Sequence, residues 1–157
     1  MIDVSPPTGL RTGTCLVVAT GAHVAPEVLA TAIARVHDDH ERLHVVVPAV
    51  LPPTLPISAM PPHLAARVDA LRRTAVETFA RVGATGRIEI VSGRDVRSAM
   101  LAAACGPIDA VALVGNAGWS LRRAARGIAP VTAHGGRAGS SKPDHRRARS
   151  PVPVTDR

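Results

Sequence analysis

The stretch Arg87-Ile-Glu-Ile-Val91 decides how this chain folds. Its charged and apolar residues alternate, which is typical of a β-strand with one face open to water. Three other short segments are apolar almost throughout: Cys15-Leu-Val-Val-Ala19, His44-Val-Val-Val47 and Asp109-Ala-Val-Ala-Leu-Val114. Runs of this kind are typical of strands that are covered on both faces. The alternating strand therefore belongs at an edge of a sheet, and the apolar strands belong in its middle.

Helical segments separate these strands. Pro26 suits the first turn of a helix, where its missing N–H costs nothing, and apolar residues recur at helical spacing over 26–36. A longer helix is predicted over 64–82, a third begins after the N-cap candidate Asp95, and a short fourth covers 120–126. Strands and helices thus alternate along the chain, which predicts a parallel sheet with right-handed crossovers and helices on both faces.

The strand order follows from the two strands with edge character. The fifth predicted strand, Ile128–His134, contains Pro130, which has no N–H to donate to a ladder and so restricts this strand to an edge. The alternating third strand takes the opposite edge. We therefore predict a three-layer α/β/α fold with a five-stranded parallel sheet of order 3-2-1-4-5. The flavodoxin-like order 2-1-3-4-5 is disfavoured because it would put the third strand at the centre.

Composition divides the chain into three parts. Residues 1–14 are predicted to form a flexible N-terminal arm, 15–135 the α/β domain, and 136–157 a disordered basic tail. The tail holds six of the 19 basic residues but two of the 12 acidic ones, and it has few apolar groups to bury. Most of the net charge of +7 therefore belongs to the tail, and the domain is only mildly basic.

The sequence predicts a cytoplasmic protein with no membrane segment. Cys15 and Cys105 lie in apolar surroundings without a CxxC spacing, so both are predicted to be buried free thiols in a reducing compartment. The N-terminus has no signal-peptide pattern. The longest apolar stretch, 45–66, contains six prolines and therefore cannot form a spanning helix.

A ligand site is predicted where the winding of the sheet reverses. In open α/β sheets, ligands bind beyond the carboxyl ends of the strands at this point. For order 3-2-1-4-5 it lies between the first and fourth strands, where the loops 20–23 and 115–118 both contain glycine. The second loop opens a helix whose amides can face an anion and which carries arginines. The candidate binding residues here are Thr20, Gly21, Gly115, Asn116, Gly118 and Arg122.

The C-terminal third of the domain resembles the universal stress protein family. It contains Gly115-Asn-Ala-Gly118, then eight residues, then Gly127, then Ile-Ala-Pro-Val-Thr. This is similar to the family's Gly-x-x-Gly, nine residues, Gly-Ser/Thr signature and the last strand after it. The resemblance implies the adenine nucleotide alpha hydrolase-like fold, ATP or AMP as ligand with Gly127 among its contacts, a bacterial stress-response role, and a homodimer formed through the fifth strand.

Two departures from the family pattern predict that nucleotide binding is weak or lost. Ile128 stands where the family has a hydroxyl residue, and Thr20-Gly21 ends the first strand where nucleotide-binding members usually have an acid. Each missing charge-assisted hydrogen bond removes about 1.5–3 kcal/mol. We therefore expect a regulatory or sensory module whose affinity for adenine nucleotide is low.

Other functions receive less support. The sequence lacks a Gly-x-Ser-x-Gly elbow, a Walker loop and a Gly-x-Gly-x-x-Gly fingerprint, so we do not expect an enzyme. The His and Asp residues of 37–44 have metal-ligand chemistry but no known ligand spacing, and no metal site is predicted. The alternative function is binding of nonspecific nucleic acid or a protein partner through the basic tail. The residues expected to make this contact are five of the six basic ones in the tail, Arg137, Lys142, Arg146, Arg147 and Arg149.

Overall fold

A computed structural model describes residues 12–135, which form nine alternating strands and helices. The elements are β1 Thr14–Ala19, α1 Pro26–Asp39, β2 Arg42–Val50, α2 Pro62–Val82, β3 Thr85–Gly93, α3 Val96–Ala103, β4 Ala110–Val114, α4 Trp119–Arg126 and β5 Val131–His134. In this part of the chain no helix is long and apolar enough to cross a bilayer. The predicted arm and tail lie almost wholly outside the described residues.

The five strands form one parallel sheet of order β3-β2-β1-β4-β5. This confirms the predicted order and places the alternating strand β3 and the short strand β5 at the two edges. The residues of β1, β2 and β4 are buried along almost their whole length, as their apolar runs predict. The fold is therefore the α/β/α arrangement expected from the sequence.

Two apolar layers hold the helices to the sheet. One face of β1 and β2, including Val17 and Val45, packs against α1 and α2. The other face, including Leu16 and Val46, packs against α3 and α4. Alanine and valine make up much of both layers, and small side chains let helices approach the sheet closely. Of the two aromatic side chains, Phe79 is half-buried against the first layer and Trp119 is exposed.

Predicted local signals are confirmed at the ends of two helices. Gly83 ends α2 in the left-handed conformation, with φ of 71°. The Asp95 carboxylate accepts a hydrogen bond of 2.6 Å from the Ser98 amide and so caps α3. This hydrogen bond holds the pKa of Asp95 below its ordinary value.

Some predicted boundaries are wrong. The strand predicted over 44–47 continues past Pro48 to Val50, because its pairing with β1 stops at Val46 while its pairing with β3 continues. Pro48 thus lies beyond the end of the β1 ladder, where a missing N–H is tolerated. The first helix runs on to Asp39, and the last strand begins at Val131, so Pro130 precedes it.

Gly86 lies close to the backbone of β2. It pairs with Leu43 and has φ of 141°, a conformation that residues with a side chain rarely adopt. A Cβ atom at this position would overlap the backbone carbonyl oxygen of Leu43. The edge strand therefore keeps its place only with glycine here.

The helix α3 is too short to cover its face of the sheet. It has eight residues and is about 12 Å long, whereas β2 and β3 have nine residues each and are about 30 Å long. Its buried residues pack on the apolar carboxyl part of that face, near Val46 and Val91. The amino part of the same face carries polar side chains.

Candidate functional site

The two predicted loops meet at the carboxyl edge of the sheet. In the register of β1 and β4, Ala19 lies opposite Val114, and the Thr20 amide donates a hydrogen bond of 2.9 Å to the Val114 carbonyl. The loops 20–23 and 115–118 therefore begin side by side, at the point where the sheet changes its winding direction. This is the place at which ligands bind in sheets of this topology.

Thr20 and Gly115 fill the space between these loops. Gly115 has φ of 103°, and a Cβ atom on it would overlap Thr20 Oγ1 and lie 2.9 Å from Val24 Cγ2. The Thr20 hydroxyl is buried, and it has no hydrogen-bond partner among the residues that the structure describes. On the other side, the His23 ring lies close to Gly21. The base of the crevice is thus closed by protein atoms.

The end of the second loop and the start of α4 are exposed, and this helix carries arginines. Asn116 and Gly118 are exposed, and Gly118 is the N-cap of α4. Arg122 is exposed on the first turn of that helix, where its amide donates to the Gly118 carbonyl. Trp119 is 70% exposed, and the Arg123 guanidinium lies over its ring, 5.2 Å from the ring centre. An anion can reach this surface without displacing any core residue.

Gly127 lies at the other end of the same helix. It caps the C-terminus of α4 with a right-handed conformation, and its amide donates to the Arg123 carbonyl at 3.2 Å. The eight residues of α4 span about 12 Å. The structure therefore brings Thr20, Gly21, Gly115, Asn116 and Gly118 together near Arg122, and it places Gly127 apart from them.

The residues of the β1–β4 crevice fit the phosphate end of a nucleotide better than its nucleoside end. The exposed loop and Arg122 offer an amide-rich, cationic surface that suits a phosphate group. For the nucleoside, the strand end offers the Thr20 hydroxyl, which is buried and covered by Gly115. No carboxylate stands at this end of β1. The crevice therefore supplies charge for a phosphate but few anchors for the rest of the ligand.

Sequence analysis missed a second polar cluster, which lies on the amino part of the α3 face. His44 Nε2 lies 3.0 Å from Glu89 Oε2 and 3.2 Å from Arg87 Nε. Nε2 can form a hydrogen bond with only one of these partners at a time. It donates to Glu89 when it carries a proton, and it accepts from Arg87 Nε when it does not. Burial lowers the pKa of His44, and the hydrogen bond to Glu89 opposes that shift. The sequence contains a signal for this cluster, because polar residues recur at every second position in the amino halves of β2 and β3.

The two cysteines differ, contrary to the prediction that both are buried. Cys15 is buried in the core, and burial raises its pKa to about 12. Cys105 is an exposed free thiol, because it follows the end of the short helix α3 and lies in the loop before β4. Only Cys15 therefore has the inert environment expected for a core thiol.

The residues of 37–44 do not converge on one point. His37 is buried on α1, His40 Nδ1 lies 3.3 Å from the Thr12 carbonyl, and His44 belongs to the cluster on β2. Within residues 12–135, the structure contains no group of three or more His, Cys, Asp or Glu side chains placed to hold a metal ion.

Comparison with known proteins gives one structural likeness. No protein-family model matches the sequence, and a search of curated proteins returns no match. Among solved structures, the chain is similar to a universal stress protein from Archaeoglobus fulgidus, with a TM-score of 0.47 and 19% identity. The match covers 78% of this chain and 94% of that chain. The fold assignment given above rests on the strand order and connections of the chain itself.

Proposed function

We propose that this chain is a non-catalytic regulatory module of the universal stress protein type, with weak binding of adenine nucleotide at the β1–β4 crevice. The observation that carries the proposal is the meeting of the loops 20–23 and 115–118 at the winding reversal of a 3-2-1-4-5 sheet. The sequence resemblance over 115–134 supports the same ligand class. Arg122 and the amides of the α4 N-terminus are the groups proposed to bind phosphate.

The expected affinity follows from the missing anchors. Two charge-assisted hydrogen bonds, each contributing about 1.5–3 kcal/mol, would separate this crevice from one that binds nucleotide at micromolar concentration. A loss of about 4 kcal/mol turns a micromolar dissociation constant into a millimolar one. The crevice is therefore proposed to respond to nucleotide only at the high end of cellular concentrations.

Titration with ATP or AMP should change the fluorescence of Trp119 with half-saturation at about 1 mM. Trp119 follows Gly118 directly and is the protein's only tryptophan, so the signal arises at the proposed site. Arg122→Gln should raise the half-saturation concentration about fivefold, since a partly exposed ion pair contributes about 1 kcal/mol. ATP recovered after the titration should be unhydrolysed.

The matched control for this titration is Arg72→Gln, which removes an exposed arginine from α2 on the other face of the sheet. It should leave the titration unchanged. Saturation below about 10 μM would show that the crevice has not lost its anchors. A flat titration up to several millimolar would end the nucleotide proposal.

A homodimer formed through β5 is also part of the proposal. Within residues 12–135, β5 pairs with β4 on one side, and its other edge has no strand partner. Pro130 precedes β5, so every residue from Val131 to His134 keeps an N–H for pairing. A second copy can therefore extend the sheet at this edge.

The basic tail provides a second candidate function, nonspecific binding of nucleic acid. Six of the chain's 19 basic residues and two of its 12 acidic residues lie in 136–157, and a chain of this charge binds phosphates in a salt-dependent way. The chain truncated after Gly135 should lose retention on a DNA column at low salt and should keep the mass of a dimer in light scattering. Unchanged DNA retention would exclude the tail, and a monomeric mass would exclude the β5 dimer.

A further inference from the structure

A polar area lies on the amino part of the α3 face of the sheet. Side chains alternate between the two faces along a strand, so Arg42, His44 and Val46 of β2 lie on the same face, as do Arg87 and Glu89 of β3. The contacts of His44 with Arg87 and Glu89 confirm this placement. Since α3 covers only the carboxyl part of the face, these side chains lie in front of the end of the helix.

The sheet and the loop before β4 enclose a cavity of about 690 Å³ over this area. It is separate from the β1–β4 crevice, because it lies at the amino ends of the strands. Its lining combines two arginines, a buried histidine, two threonines, an exposed thiol and apolar groups. The lining residues are Thr14, Arg42, Leu43, His44, Thr85, Gly86, Arg87, Cys105, Gly106 and Pro107.

The charge of the cavity is positive. Arg42 and Arg87 both line it, no carboxylate does, and neither guanidinium forms an ion pair with a residue in 12–135. Two carboxylates contact residues of the lining without lining the cavity themselves. Glu89 Oε2 lies 3.0 Å from His44 Nε2, and the Asp109 carboxylate accepts a hydrogen bond of 2.8 Å from the Thr14 amide. Two guanidinium groups thus line a concave space in which neither forms an ion pair with residues 12–135.

We propose that this cavity binds a small oxyanion, the phosphate or carboxylate group of a metabolite, between Arg42 and Arg87. The planar fork of a guanidinium matches the geometry of both groups and can form two parallel hydrogen bonds with either. Arg87 Nε lies 3.2 Å from Nε2 of the buried His44 and donates a hydrogen bond to it when that nitrogen carries no proton. Arg42 begins β2 and is exposed, so it can close over the ligand from the edge of the cavity.

Cys105 provides a direct test because its thiol lies in the lining of the cavity. Its thiolate attacks one sulfur of an aromatic disulfide, a mixed disulfide forms, and the second sulfur leaves as a coloured thiolate. Two reagents are compared at constant ionic strength: dithiobis(nitrobenzoate), which carries two carboxylates, and neutral dithiodipyridine. The ratio of the two reaction rates measures how strongly the cavity attracts the anionic reagent, because both reagents react with the same thiol. Buried Cys15, with its pKa of about 12, does not react in the folded protein.

Removal of either arginine should abolish the preference for the anionic reagent. We expect the rate ratio to fall about fivefold in Arg42→Gln and in Arg87→Gln, and to stay unchanged in the remote variant Arg72→Gln. The Arg42 side chain makes no hydrogen bond or ion pair with residues 12–135, so its replacement tests the cavity even if loss of the Arg87–His44 bond perturbs folding. An equal ratio in all four proteins would attribute the preference to overall charge and overturn the proposal.

Competition identifies the class of anion. Pyrophosphate or citrate at about 10 mM should slow the anionic reagent at least threefold in the parent protein, against a chloride control of equal ionic strength. Slowing by pyrophosphate alone assigns phosphate ligands, and slowing by citrate alone assigns carboxylates. Slowing by neither would contradict the proposed site. Nucleotide binding at the β1–β4 crevice, read from Trp119, is a separate outcome and can fail independently.

Discussion

Replacing Gly86 with alanine is expected to lower the free energy of unfolding by about 3–5 kcal/mol. The new methyl group would overlap the Leu43 carbonyl oxygen, which is a backbone atom in the neighbouring strand and cannot rotate away. The backbone at φ of 141° also disfavours any residue with a Cβ atom. Relief requires β3 to separate from β2 at this point, so the loss is a large part of the 5–15 kcal/mol typical of a domain.

Urea denaturation followed by far-ultraviolet circular dichroism measures this loss. The matched control is Gly83→Ala, which also places alanine at a positive φ, 71°, but in a position with no atom within 4 Å of the new Cβ. It should cost about 1 kcal/mol, the strain of the left-handed conformation alone. Equal losses in the two variants would show that strain, rather than overlap with Leu43, limits residue 86.

Leu16→Ala should lower the free energy of unfolding by about 3–4 kcal/mol. Leu16 is fully buried in the middle of β1, beneath α3 and α4, and its register neighbours are His44 and Val111. Truncation removes apolar contact and leaves a cavity that a central strand, paired on both sides, cannot close by moving. The two eight-residue helices on this face are attached to the sheet through the same apolar layer.

The comparison variant is Leu101→Ala on the outer side of α3, where the leucine is 46% exposed. It should lose less than about 1 kcal/mol in the same urea experiment, because close to half of this side chain already contacts water in the folded protein. If Leu101→Ala proved as harmful as Leu16→Ala, the apolar layer beneath α3 would not be the main attachment of these helices.

The strand order was predictable because edge and centre positions place opposite demands on a strand. The alternation of Arg87-Ile-Glu-Ile-Val91 and the position of Pro130 identified the two edges, and the apolar runs left no other place for the remaining strands. Helix ends were predictable where one residue type decides the backbone, as at Gly83 and Asp95. These signals are local, and neighbouring elements do not alter them.

The features that could not be predicted from the sequence depend on the relative lengths of neighbouring strands and helices. Pro48 is accepted within β2 because β1 ends earlier, and that difference arises only when the strands are paired. Cys105 is exposed because α3 stops after eight residues, although its neighbours in sequence are apolar. The polar area around His44 has the same origin, since a longer helix would have required apolar residues there.

The crevice was predicted in its location but not in its shape. The topology brings the loops after β1 and β4 together, which requires only the strand order. The overlap that makes glycine necessary at 115 depends on the distance to Thr20 Oγ1, and no spacing in the sequence encodes that distance. The separation of Gly127 from Gly118 depends on the intervening residues being helical, whereas a motif match counts residues alone.

The near absence of aromatic residues determines how this molecule can be observed. Trp119 is 70% exposed and there is no tyrosine, so intrinsic fluorescence reports on the start of α4 and carries little information about the core. Phe79 is the only other Phe, Tyr or Trp residue. Few methyl groups therefore lie near a large aromatic ring, and the methyl signals of the alanine- and valine-rich layers should overlap in a nuclear magnetic resonance spectrum. The interior is best followed through its backbone amides, whose exchange with deuterium requires no chromophore.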